Sequence, residues 1–457
     1  MRAIVSFIAL SAPDRVAAAS WSSWRILISS DTIDVMDLLA LADDLWAGKD
    51  RYKPFDNPGA KGEIDDNTLF VHGFANVNAL LTDDGIVLID TGSSLMAKTM
   101  HDSLRTWSTD RINTAVFTHG HIDHCFGIEN YDSDNASLGS QAPKVIAHEA
   151  IKARFDRYKV TAGYNEQINR RQFGMSDFVW PLNYRYPDIT YQKNLDLLVG
   201  GEKFELHHAR GETDDHTWVW APDRSVVCVG DLFTWAAPNC GNPQKVQRYP
   251  MEWAQALREI ATLNANVMLP GHGLPIIGPD RVRQALEESA ELLEYLHTET
   301  LILMNAGATL NDIIHSVKAP ERLLERPYLR PVYDDPEFIL HSLWRLYGGW
   351  FDGNPARLKP PSDKSLAVEV AALAGGPVAL SQRALLVADS GDLRLAGQLI
   401  EWALGAYSIK DPDRNEVAQI YSQINRQRVA QETSLMAKGV FRAAAREPNP
   451  KANAPEN

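Results

Sequence analysis

The chain has 457 residues, more than one hydrophobic core usually organises, which predicts two domains. With 45% hydrophobic and 23% charged residues it has ample apolar material for globular cores. A formal net charge of −14 argues against a nucleic-acid or anionic-membrane binder, because phosphate surfaces need a basic partner.

Residues 1–66 are expected to be an N-terminal extension and approach. Arg2, the apolar run Ala3 to Leu10 and the small residues Ala17 to Ala19 imitate a signal peptide. Ser6 breaks the run, however, and Pro13-Asp14-Arg15 interrupts the way to any cleavage site. Cys125, Cys228 and Cys240 are too few, and odd in number, for a disulfide framework. The expected location is therefore cytoplasmic, with export as the alternative. No apolar run approaches the ~20 residues of a membrane-spanning helix.

A catalytic domain is expected over 67–278. Leu69 to Val71 and Val77 to Leu81 read as strands, and Asp83-Asp84-Gly85 turns the chain into Ile86 to Ile89. Asp90-Thr91-Gly92 ends that strand, and a helix is predicted from Leu95 to Trp107. Thr114 to Phe117, Lys144 to Ala147, Ser225 to Val229 and Val267 to Leu269 are further short β-rich runs. Continuous apolar runs bounded by turns predict strands buried on both faces and covered by helices. From Pro279 the pattern becomes helical: Val282, Leu286, Ala290 and Leu293 share one face, and Leu395, Leu399, Trp402 and Ala403 another. Ser390-Gly391 and Lys410 to Asp413 read as turns, and Pro360-Pro361 as a joint. A helical domain is expected over 279–447 and a disordered tail over 448–457.

The chemistry concentrates in His119-Gly120-His121-Ile122-Asp123-His124, directly after a predicted strand. Histidine and carboxylate suit zinc, and alternate residues of a loop diverge enough to face two neighbouring metal positions. Cys125 follows the cluster and reads as a small buried hydrophobe. Glu212 in Gly211-Glu212-Thr213, Asp231 in Gly230-Asp231 and His272 in Gly271-His272-Gly273 are further ligand-type residues beside glycines, where the backbone can turn sharply.

These motifs resemble the metallo-β-lactamase superfamily. The resemblance implies a four-layer αββα domain followed by an all-α domain, and two divalent metal ions, most naturally Zn2+. It places His119, His121 and Glu212 on the first metal, and Asp123, His124 and His272 on the second, with Asp231 bridging. Asp123 and Asp231 are thereby the catalytic carboxylates, and Asp90 orients the ligand loop without binding metal. Glu212 stands where most members carry histidine, which is similar to the alkyl sulfatase branch. His216 lies too far along to be that ligand. Trp344 to Pro355, with Ser434 to Ala437 and Phe441-Arg442, is similar to the helical domain by which alkyl sulfatases dimerise. The resemblance thus implies a homodimer acting on a small, amphiphilic sulfate ester. Asp231 departs from that branch, whose members resemble one another in using glutamate there. A carboxylic ester, thioester, lactone or phosphoester substrate therefore stays open, as does a metal-bound redox or binding role.

Two divalent ions with Asp123, Asp231, Glu212 and hydroxide sum to a near-neutral site, so Glu212 is expected to soften its Lewis acidity. Substrate contacts are expected from Asn239, Lys245 and Arg248 in the polar segment Pro238 to Arg248. Asn165, Arg170 and Arg171 are secondary candidates. Tyr164, Trp180, Tyr184 and Tyr186 line an alkyl channel or are simply core.

Overall fold

The computed structural model describes residues 38–49, 61–408 and 410–446. The signal-like segment and the tail predicted to be disordered lie outside the described residues. Two sheets form the first part. β1 (Lys61–Asp65), β2 (Thr68–Val71), β3 (Val77–Thr82), β4 (Gly85–Ile89), β5 (Ile112–Val116), β6 (Lys144–His148) and β7 (Ile189–Tyr191) follow one another in a seven-stranded sheet. It is antiparallel from β1 to β4 and parallel from β4 to β7. The six-stranded sheet runs from β8 (Asn194–Val199) through β9 (Glu202–His208), β10 (Thr217–Ala221), β11 (Val226–Gly230) and β12 (Val267–Pro270) to β13 (Ile276–Ile277).

The period-2 alternation of buried strands explains the layering. In β4, Val87 and Ile89 join a core that also holds Phe204, Leu206 and Trp218 from the other sheet. Ile86 and Leu88 point the opposite way, into a second core with Met100, Tyr131 and Phe155. Those three come from the helices Ala97–Arg105, Ile128–Ser137 and Ile151–Val160. A one-residue slip would exchange the two faces, so burial on both sides fixes the register. The helices Pro250–Ala261 and Pro279–Asn305 contribute Leu257, Leu286 and Leu293 to the first core and cover the second sheet. The result is the expected order of helix, sheet, sheet, helix. The strands β8 and β9 show no long continuous apolar run in the sequence because polar residues alternate with their apolar ones.

The long helix begins at Pro279, where a missing N–H costs nothing. Among the described residues nine further helices follow it, from Leu310–Ser316 to Leu435–Arg446. Thr309 and Asp312 cap the first of these reciprocally, and Asp392 caps Leu393–Gly405 by accepting from Leu395 N at 2.9 Å. In that helix the buried face is Ala396, Ile400, Ala403 and Leu404, whereas Leu395 is 47% exposed. The expected stripe is thus rotated, because this helix packs between Pro377–Asp389 and Arg414–Gln431 and buries its smaller residues there. The final helix returns to the first part, where Gly439 lies against the backbone of Gln172. No single described helix is long and apolar enough to cross a membrane.

Candidate metal centre

The functional side chains sit where strands end. β5 runs out at Val116, and the chain then carries His119 and His121 into the short helix Ile122–Cys125, which holds Asp123 and His124. Glu212 lies between β9 and β10, Asp231 follows β11, and His272 follows β12. Close approach explains the glycines. A Cβ on Gly271 would run into the Asp231 carboxylate, and one on Gly120 would lie 2.8 Å from Arg154 Cδ.

All seven side chains converge, in two groups of ligand atoms. In the first, Glu212 Oε2 lies 3.6 Å from His119 Nε2 and 3.4 Å from His121 Nδ1, and those two nitrogens are 2.8 Å apart. In the second, Asp123 Oδ2 lies 3.7 Å from His124 Nε2 and 3.6 Å from His272 Nε2. Asp231 reaches both: Oδ2 is 3.8 Å from His119 Nε2 and 3.3 Å from His272 Nε2, while Oδ1 is 3.3 Å from His124 Nε2.

Outer partners decide which nitrogen faces inward. Thr118 Oγ1 donates to Asp90 Oδ2 at 2.8 Å, so at 3.0 Å it can accept from His119 Nδ1–H. His124 Nδ1 lies 2.7 Å from the same Asp90 oxygen, and His272 Nδ1 donates to the carbonyl of Phe74. In each case Nδ1 is the nitrogen engaged outward, which leaves Nε2 facing the cluster. Burial, with His124 and His121 close by, holds His119 well below the usual imidazole range and so neutral. Burial pushes Asp231 upward, but His272 and His124 outweigh it and hold the carboxylate well below its usual range. His124 Nε2, Glu212 Oε2 and Asp231 Oδ1 are buried without a hydrogen-bond partner. Such atoms are costly unless something else satisfies them. Imidazole nitrogens and ionised carboxylates converging on a common space are the donor set of divalent cations, and the residues fit such ions.

Glu212 has further company. Its Oε1 accepts from Arg248 Nη1 at 2.6 Å and from Asn239 Nδ2 at 2.5 Å. Arg248, only 3% exposed, also donates to the carbonyl of Asn239. The charge count from sequence omitted this guanidinium, which sets a positive charge against Glu212. Lys245 is half-buried, and burial beside Arg248 lowers its ammonium to about 8, with Glu212 and Asp123 acting in the opposite sense. The segment that carries these residues is docked on the helical part: Ala237 N donates to Arg330 O at 3.0 Å, Gly241 N to Asp334 Oδ2 at 2.6 Å, and Gln247 Nε2 to Ser342 O at 3.0 Å.

The secondary candidates bond to residues outside the metal cluster. Asn165 bonds back to Thr161, Arg170 to Phe178 O and Glu166, and Arg171 to Gln244. Trp180 and Tyr184 belong to the outer core and Tyr186 packs against it, whereas Tyr164 is 63% exposed. Cys125 is buried and donates to His121 O at 3.1 Å, and burial pushes its thiol up, so the reading as a buried hydrophobe stands.

Sequence reasoning missed Thr118, and it missed a buried ion pair behind the histidines. Asp215 Oδ2 accepts from Gly120 N at 2.9 Å, and its other oxygen accepts from Arg154 Nε at 2.7 Å. Arg154 also donates to Asp214. Asp214-Asp215 beside His216 was a usable signal, but nothing local marks Arg154, which lies on a helix distant in sequence.

Comparison with known proteins agrees with this architecture. Residues 72–272 match the metallo-beta-lactamase superfamily, and residues 309–450 match alkyl sulfatase dimerisation. A linear primary-alkylsulfatase from a Pseudomonas species is 26% identical over 74% of this chain and 66% of its own length. An (R)-specific secondary-alkylsulfatase, also from Pseudomonas, is 28% identical over 71% of this chain and 53% of its own length. The solved structure of a stereoselective inverting sec-alkylsulfatase from Pseudomonas superposes with a TM-score of 0.75 at 23% identity, covering 85% of this chain and 65% of that one. The alignments thus span between about half and two thirds of these curated relatives.

Proposed function

We infer, for a chain whose residues 72–272 match the metallo-β-lactamase superfamily and whose residues 309–450 match alkyl sulfatase dimerisation, that it hydrolyses alkyl sulfate esters with two divalent metal ions, zinc in both positions. The observation that carries this reading is the convergence of seven buried or half-buried ligand-type side chains in two groups that share Asp231. His119, His121 and Glu212 would hold one ion, Asp123, His124 and His272 the other, with Asp231 between them. When bound, such a pair supplies a water of lowered pKa and a Lewis acid for charge developing on oxygen.

The chain's own residues do the rest. Asp90 orients His119 through Thr118 and His124 directly, so both turn Nε2 toward the cluster without reorganising. The core behind Thr118 and His119, both fully buried, excludes bulk water from that side. Lys245 supplies a cation for the sulfate group of an arriving ester. Lys245→Met is expected to raise KM for dodecyl sulfate at least tenfold with little change in kcat, the signature of a contact made equally before and during reaction. An unchanged KM would remove Lys245 from the reading.

A second reading has one observation behind it. The residue between the groups is aspartate, as in general hydrolases of the superfamily, and this favours a carboxylic or phosphate ester. Steady-state rates on dodecyl sulfate and on p-nitrophenyl esters distinguish the two. Release of dodecanol without carboxylic ester turnover supports the sulfatase; ester turnover without dodecanol contradicts it. The active species is a homodimer joined through residues 309–450. Exposed Leu366, Val368, Leu373 and Leu386, on the helices Asp363–Leu373 and Pro377–Asp389, support that assembly.

A further inference from the structure

We propose that Arg248 and Asn239 are positioning residues that make Glu212 a one-oxygen, charge-compensated ligand for the first metal ion, so that a carboxylate does there what a neutral imidazole would do. This rests on the reading of the cluster as a metal centre. The two oxygens of Glu212 are treated differently. Oε1 receives both donors, Arg248 Nη1 at 2.6 Å and Asn239 Nδ2 at 2.5 Å. Oε2 is buried without a hydrogen bond and faces His121 Nδ1 at 3.4 Å and His119 Nε2 at 3.6 Å. A carboxylate whose Oε1 lone pairs are engaged by two donors has one oxygen left for a cation, which is how many atoms an imidazole offers.

The charge is matched in the same way. Both members of the Arg248–Glu212 pair are almost fully buried, with side-chain exposures of 3% and 2%. A buried guanidinium beside a carboxylate cancels most of its field, and the two donors on Oε1, Arg248 Nη1 and Asn239 Nδ2, hold its angle. Arg248 is itself pinned, because it donates to Asn239 O and its segment is fastened to the helical part through Gly241–Asp334 and Gln247–Ser342. Arg248 is thereby committed to Glu212, and Lys245 is the cation of this segment left for substrate.

The test is zinc titration of the metal-stripped full-length chain in competition with a chromogenic chelator, with circular dichroism to check folding. Wild type is expected to take up two ions in two resolved steps. Arg248→Met is expected to weaken one step by about 10–100-fold, the usual cost of losing an outer partner, and to leave the other unchanged. Asn239→Ala, which keeps the ion pair, weakens the same step less and carries the test if Arg248→Met does not fold. In the double variant Glu212→His with Arg248→Met, a neutral ligand no longer needs a cation behind it, and the weakened step recovers. The proposal is overturned if Arg248→Met and Asn239→Ala leave both steps intact or weaken them equally, or if the double variant fails to recover. Wild type binding no zinc would instead overturn the metal-centre reading.

Discussion

Asp90 adopts φ 61°, a left-handed conformation that aspartate tolerates better than most side chains. From that position one carboxylate serves both histidine groups, through Thr118 to His119 and directly to His124. Asp90→Asn keeps the shape but replaces one oxygen with a donor that cannot accept from His124. Metal affinity, measured by chelator competition, is expected to fall about 10–100-fold; wild-type affinity would dismiss this role. Asp334 is a second residue with a measurable signature. Burial raises its carboxyl from 3.8 to about 7, against the opposing pull of Gly241 N–H and Arg248. The folded chain then holds a proton that the unfolded chain has released, so this group's stability contribution is complete below pH ~4 and drains away as pH rises toward 7. Its slope is at most about 1.4 kcal/mol per pH unit. Asp334→Asn should flatten that part of the pH dependence of Tm between 4 and 7, and an unaltered slope would contradict it. At this scale the sequence was uneven as a guide. The run from His119 to His124 announces itself because four ligand-type residues share one loop. The target of Arg248 does not, since a cation in a polar loop carries no mark of whether it faces substrate or a neighbouring carboxylate.

Among the elements, the segment from Ala237 to Arg248 connects the two parts of the chain. It follows Asp231, supports Glu212, and is fastened to the stretch from Arg330 to Ser342. Gly241 lies so close to the backbone of Phe338 and Ile339 that any Cβ would force them apart. Gly241→Ala is expected to cost about 1–3 kcal/mol in urea unfolding, as overpacking does. A cost within a few tenths of that of a surface substitution would show that the segment yields freely. Fully buried strands such as β4 and β11 were legible as apolar runs. β8 and β9 were not, because charges on their open face interrupt the pattern. The helix Leu393–Gly405 was legible in type but not in orientation, since its alanines, not Leu395, fill the tight space between neighbours.

For the molecule as a whole, sequence carried the change from strands to helices at Pro279, because period 2 and period 3.6 patterns differ over long windows. It could not carry the way the last helix folds back, which depends on Gly439 meeting the backbone of Gln172 at long range. Analytical ultracentrifugation is expected to give a dimer at micromolar concentration, and a monomer throughout would contradict the assembly proposed through residues 309–450. Chelator treatment is expected to lower Tm while leaving far-ultraviolet circular dichroism intact, because ions that bind only the folded chain stabilise it by mass action. The most direct test is the metal content of purified chain by elemental analysis, compared with that of Asp231→Ala. Two equivalents of zinc in the wild type, with a marked loss in the variant, is the result expected. A folded wild type with no divalent metal, or a variant that retains both ions, would contradict the account.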